Sequence, residues 1–163
     1  MNLLSLTCLI TALAFGQATT TTTTTKAKAA PKAAPKAGRT VELTASDTMK
    51  YDKAEITAKP GETLRVVLKN AGTMPKLVAA HNFVLLKAGS DAAAFSTAAF
   101  NARDTDFIPP ALKASVIANT ALAGPGETVE ITFKVPAKAG NYPYLCSFAG
   151  HFALGMKGML VVK

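Results

Sequence analysis

Three residues in the stretch Tyr144–Met156, Y-L-C-S-F-A-G-H-F-A-L-G-M, can hold a soft metal ion: Cys146, His151 and Met156, spaced five apart. A thiolate, an imidazole and a thioether on one turn between strands suit copper better than any other common ion. Copper that cycles between Cu(I) and Cu(II) is often held by two His and one Cys in a trigonal plane, with a weak, long axial Met. The stretch supplies three of those four groups. The chain has two histidines, and the second, His81 in A-A-H-N-F-V, completes the set. There are enough ligands for one such centre and none to spare.

The elements around these residues must hold them still. Alternation at period two puts Tyr142, Tyr144, Cys146 and Phe148 on one face of a strand, so Cys146 points inward at its end among aromatic rings. The residues from there to Met156 read as a loop, because Gly150 and Gly155 interrupt any regular pattern. Met156 leads the chain into a last strand, M-K-G-M-L-V-V-K. A loop between two paired strands is a rigid platform, and a metal site that barely moves has a small reorganisation energy for electron transfer. His81 directly precedes a strand at Asn82–Lys87. Asn82 is placed to pin the loop through Ser147 and to donate its backbone N–H to the Cys146 sulfur; such bonds tune a metal thiolate. Met49, Met74 and Gly150 form a candidate apolar docking face around an exposed edge of His151.

Residues 40–163 read as one domain of 124 residues, a size that supports a single core. Thr63–Lys69 alternates, with Leu64, Val66 and Leu68 on one face, and Val129, Ile131, Phe133 and Val135 repeat the pattern. Further strands are expected near Val41–Ala45, Lys53–Ala58, Ser115–Asn119, Asn141–Phe148 and Gly158–Val162. Many short strands bounded by Gly, Pro, Asn and Asp predict an all-β sandwich or barrel. The words P-G-E-T at Pro60–Thr63 and Pro125–Thr128 each open a strand through a type II turn. One insert breaks the pattern: Ser90–Arg103 is dense in alanine and predicts a short helix, capped by Ser90. Phe95 and Phe100 would rest on the sandwich, and the insert would act as a flap over one end.

The start of the chain has a different composition. Residues 3–18 are apolar with small residues at Gly16 and Ala18, the pattern of an export signal over 1–18; a membrane span needs about 20 residues. Residues 19–39 hold seven consecutive Thr and a Lys/Ala/Pro-rich run, too polar to build a core and best read as an extended tether. The net charge of +8 owes +5 to Lys26, Lys28, Lys32, Lys36 and Arg39, leaving about +3 for residues 40–163. That distribution excludes a nucleic-acid footprint, because no basic stripe with interleaved aromatics lies in the domain. Membrane contact would come through the N-terminal segment alone, as a tether if it is not cleaved. With Cys8 removed in the signal, Cys146 is a lone thiol in an oxidising compartment, which calls for an explanation such as a metal.

Taken together, D-T-M-K-Y-D, M-P-K, A-A-H-N-F-V-L, V-I-A-N-T and Y-P-Y-L-C-S-F-A-G-H-F-A-L-G-M-K-G resemble the azurin-like cupredoxins, the blue copper family. The resemblance runs over nearly all of residues 40–163. It implies a Greek-key β-sandwich and a type 1 copper with ligands His81, Cys146, His151 and Met156. It also implies periplasmic one-electron shuttling between redox proteins such as c-type cytochromes and copper or haem reductases and oxidases. The chain departs from azurins in five respects. Four residues, not three, separate His151 from Met156. Ala80 stands where azurins carry a Gly whose carbonyl lies near copper, and Ala149 replaces the usual Pro. The structural disulfide is absent, and so is the buried Trp. The expectation is a monomeric electron carrier rather than an enzyme, with copper delivery or storage as the alternative.

Overall fold

The structure is a computed structural model that describes residues 38–163. The expected export segment, and the linker apart from Gly38 and Arg39, lie outside the described residues. None of the described helices is long and apolar enough to cross a membrane.

Alternation decides the strands. In β3 (Thr63–Asn70), Leu64, Val66 and Leu68 are fully buried while Arg65 and Lys69 point outward. Burying each of these three side chains stabilises the fold by about 1.5–3 kcal/mol. β3 pairs in parallel with β1 (Arg39–Ala45) and antiparallel with β6 (Thr128–Lys134), forming a three-stranded sheet. A second sheet of five strands runs in the order β2 (Glu55–Ala58), β8 (Lys157–Val162), β7 (Gly140–Leu145), β4 (Val84–Leu86) and β5 (Val116–Asn119). There β2 lies parallel to β8 and the other neighbours are antiparallel. The chain crosses from one sheet to the other between β1 and β2, and the two sheets make a Greek-key sandwich. Leu43, Leu64 and Leu68 from the first sheet share one core with Leu85, Tyr144 and Leu160 from the second and with Phe83 just before β4. Both P-G-E-T corners turn through a glycine at positive φ, Gly61 at 71° and Gly126 at 73°.

The alanine-rich insert is a helix, α2 (Ala92–Ala99), and it corrects three expectations. Its cap is Asp91, not Ser90: the carboxylate accepts the amides of Ala93 and Ala94, both at 2.9 Å. A charged acceptor at a helix N-terminus bonds more strongly than a hydroxyl. Phe95 is buried, but Phe100 is 55% exposed; five residues on, it stands about 140° round the helix from Phe95. The insert also covers the outer face of the second sheet rather than an end. Phe95 packs with Val84, Leu86, Ile108 and Leu145, whereas Leu85, between the first two, faces the main core. That cover explains why all three residues of β4 are buried. A second, unexpected helical turn, α1 (Lys76–Ala79), delivers the chain to His81.

Candidate metal centre

Two segments meet at the site: residues 80–82, entering β4, and the loop joining β7 to β8. His81 is fixed at its backbone by a two-way bridge, donating to the Ala123 carbonyl at 3.0 Å and accepting from the Ala123 amide at 2.7 Å. Ala80, before it, is fully buried. The loop is closed across its neck, where the Cys146 amide donates to the Met156 carbonyl at 3.0 Å, one step beyond the last paired residues of β7 and β8. Within the loop, Met156 donates to the His151 carbonyl at 3.0 Å and His151 to the Phe148 carbonyl at 3.1 Å. A loop bonded to itself at these points holds its inward side chains without help from a ligand.

The nitrogen and sulfur donor atoms of His81, Cys146 and His151 all lie within 4.8 Å of one another. Cys146 Sγ is 3.5 Å from His151 Nδ1, and the two imidazole rings sit 4.9 Å apart, tilted by 47°. Two donors on one ion at about 2.0–2.3 Å stand no more than about 4.6 Å apart, so the cluster is already close to the size of one ion. Both ring nitrogens of His81 are buried without a hydrogen-bond partner. The Ser46 carbonyl stands near the ring but outside hydrogen-bonding geometry. Buried polar atoms are almost always paired, and this exception is what a waiting ligand atom looks like.

Protonation favours the same reading. Burial lowers the His81 pKa, against an opposing pull from Asp47 and the Ser46 carbonyl. Burial and the neighbouring His81 push His151 down to about 4. Both rings are therefore neutral at pH 7, with a lone pair free to donate. Burial pushes the Cys146 thiol up to about 12, against the backbone amides of Asn82 and Phe148, which pull it down. A cation that binds here displaces the thiol proton, which couples metal affinity to pH.

The supports expected of Asn82 and Ser147 are present. Asn82 Nδ2 donates to Ser147 Oγ and the Ser147 amide donates to Asn82 Oδ1, both at 2.9 Å. The backbone amides of Asn82 and Phe148 both pull the thiol pKa down. The Phe148 ring lies 4.7 Å from His151 and 4.6 Å from Phe107. Met156 is fully buried beside the cluster's own loop, and His151 retains 3% exposure while His81, Cys146 and Met156 have none. Met49, Met74 and Gly150 are half-buried.

Sequence reasoning missed a larger apolar surface nearby. Leu77 is 84% exposed and Leu154, inside the loop, 60%. Leu77, Phe107, Leu122 and Phe148 line a groove of about 210 Å³, edged by Lys76 and Arg103. The helical turn α1, which presents Leu77, has no periodic signature in four residues, so no pattern announced it. Also missed were Tyr51 and Thr120, which hold the backbone around Asn82.

Comparison with known proteins agrees with this geometry. Residues 39–163 match the model of copper binding proteins of the plastocyanin/azurin family. The chain is 38% identical over 126 residues to auracyanin-A of Chloroflexus aurantiacus, covering 76% of this chain and 74% of the relative. It is 40% identical over 124 residues to azurin-1 of Alcaligenes xylosoxydans xylosoxydans, covering 74% and 95%. Among solved structures, dithionite-reduced auracyanin from Roseiflexus castenholzii superposes with a TM-score of 0.68 at 39% identity, covering 76% of this chain and 96% of that one. With a two-sheet Greek-key sandwich and a buried His-Cys-His cluster as a candidate type 1 copper centre, the chain belongs to the plastocyanin/azurin family, the electron-transferring cupredoxins.

Proposed function

We propose that the protein is an exported, periplasmic one-electron carrier. In this reading His81, Cys146 and His151 hold copper, and Met156 is the weak axial ligand. The observation that carries it is the pair of orphaned, buried nitrogens on His81 beside a buried thiol and a second neutral imidazole. Copper, when bound, supplies a reversible one-electron couple.

The chain's own residues do the rest. The amides of Asn82 and Phe148 favour the thiolate form of Cys146. The Cys146–Met156 backbone bond and the Asn82–Ser147 pair fix the loop, so little rearrangement accompanies a change of charge. The aromatic rings of Phe148 and Phe107 keep water from the site. His151, the one proposed ligand with any exposure, is the natural exit for an electron. Met49, Met74 and Gly150, extended by Leu77 and Leu154, would seat the apolar edge of a redox partner such as a c-type cytochrome or a copper or haem oxidoreductase. The donor atoms of the cluster are buried and aimed at one another rather than at a substrate cleft, and we read the protein as a carrier, not an enzyme. Burial of all four side chains argues against copper delivery, which needs an open site for handover. The segment 1–18 would direct export and 19–39 would serve as a tether.

The test is a visible spectrum of the protein after Cu(II) and then after ascorbate. An intense blue band that bleaches on reduction, returns on reoxidation and vanishes in Cys146→Ser is expected. A colourless protein, or a spectrum indifferent to Cys146→Ser, would overturn the carrier reading.

A further inference from the structure

The peptide joining Asn82 to Phe83 is held at both ends by side chains from outside the site. Its carbonyl accepts the buried Tyr51 hydroxyl at 2.5 Å. Its N–H donates to Thr120 Oγ1 at 3.0 Å, and Thr120 is held in turn by its amide to the Phe83 carbonyl at 3.0 Å. Tyr51 is fixed too: its backbone bridges to Ala45, and its ring packs on Tyr144 with centroids 5.6 Å apart. Asn82 and Ser147 are fully buried, so no water competes for these bonds. The residue in the grip of this clamp is the one whose side chain holds Ser147, next to Cys146, and whose own amide pulls the thiol pKa down.

We propose that Tyr51, with Thr120, is a positioning residue for the thiolate, acting through Asn82. With the His81 backbone already pinned to Ala123, fixing the plane of the 82–83 peptide restricts the Asn82 dihedrals and with them the direction of its N–H. Without the Tyr51 hydroxyl, the Asn82 carbonyl has no partner in a dry interior, and a buried acceptor left unpaired is destabilising. The peptide relieves that cost by rotating, and the Asn82 amide drifts from the sulfur. Amides that donate to a metal thiolate stabilise its negative charge. Losing one favours the oxidised metal and lowers the reduction potential. The spectral and potential consequences rest on the copper reading of the site; the behaviour of the Asn82 amide does not.

The experiment therefore has two arms. In metal-free protein, hydrogen exchange at the Asn82 amide is followed by NMR in Tyr51→Phe, which keeps the ring on Tyr144 and removes only the hydroxyl. The expected result is exchange about ten-fold faster than wild type, after normalising to Val66 and Leu68 in the core. In copper-loaded protein, the blue band should move and the potential should fall. Thr120→Val, which releases the other end, should act in the same direction, and Thr120→Ser should restore wild-type behaviour. If Tyr51→Phe fails to fold, the Thr120 pair carries the same test. Unchanged normalised exchange in Tyr51→Phe and Thr120→Val would overturn the proposal, leaving Tyr51 a packing residue. A copper arm that fails because wild type forms no blue centre, with the exchange arm positive, would overturn the copper reading and leave the clamp standing.

Discussion

Two buried polar clusters meet at the Ala123 carbonyl, and they are finished differently. On one side Asn70 closes on itself. Its Nδ2 donates to the Ala123 carbonyl at 3.1 Å, its Oδ1 accepts the Gly72 amide at 2.8 Å, and its backbone bonds Glu127 and Gly126. On the other side the same Ala123 pins the backbone of His81, whose ring is left with two unpaired nitrogens. Both residues are almost wholly buried. The difference teaches where stability ends and function begins. The Asn70 cluster is complete as folded and holds the loops together; the His81 cluster is complete only with something added.

Adding copper is the largest expected perturbation. At free copper a thousand times the dissociation constant, wild type should gain about 4 kcal/mol, read from the urea midpoint, and Cys146→Ser far less. An equal gain in both would break the contrast between an open and a closed cluster. Asn70→Ala should cost about 2–3 kcal/mol with copper or without it, because its bonds are made in either state. A cost that appears only in the loaded protein would place Asn70 in the site instead.

Acid should discriminate next. His81 and His151 both have pKa values lowered from 6.5 in the fold, His151 to about 4. Between those limits the unfolded chain binds more protons than the folded one, so stability rises with pH there. Metal-free protein should hold its full stability above about pH 6.5 and lose on the order of 2–3 kcal/mol as pH falls toward 4. Asn70→Ala should keep that slope, and His81→Leu should reduce it only in part, because burial still holds His151 down, measured as denaturant midpoints across pH.

The smallest effect is the most pointed. His81→Leu in metal-free protein should be neutral or stabilising by about 1 kcal/mol, since it replaces an orphaned polar ring with an apolar group of similar size. It should also abolish the blue centre. A loss as large as that of Asn70→Ala would mean that the His81 ring has a structural role.

The sequence determined the donor types and most of the strands. A lone thiol, two imidazoles and a thioether at these spacings restrict the metal chemistry before any coordinates exist, and alternation such as Leu64, Val66, Leu68 encodes which face is buried. The bond between Asn82 and Ser147 was legible too, because both flank ligands. The tertiary structure decided what alternation cannot encode. Asp91 rather than Ser90 caps α2, and the helix lies on the outer face of the second sheet, because packing against Val84, Leu86 and Leu145 depends on which sheet face is left bare. Leu77 is exposed because a four-residue turn turns it outward. Tyr51 and Thr120, 31 and 38 positions from Asn82 and Asn82's own neighbours being silent on the matter, reach its peptide only because the two sheets close on one another. Side-chain type is local, but the pairing of buried polar atoms is settled by the fold as a whole, since each must find its partner wherever the chain has placed one.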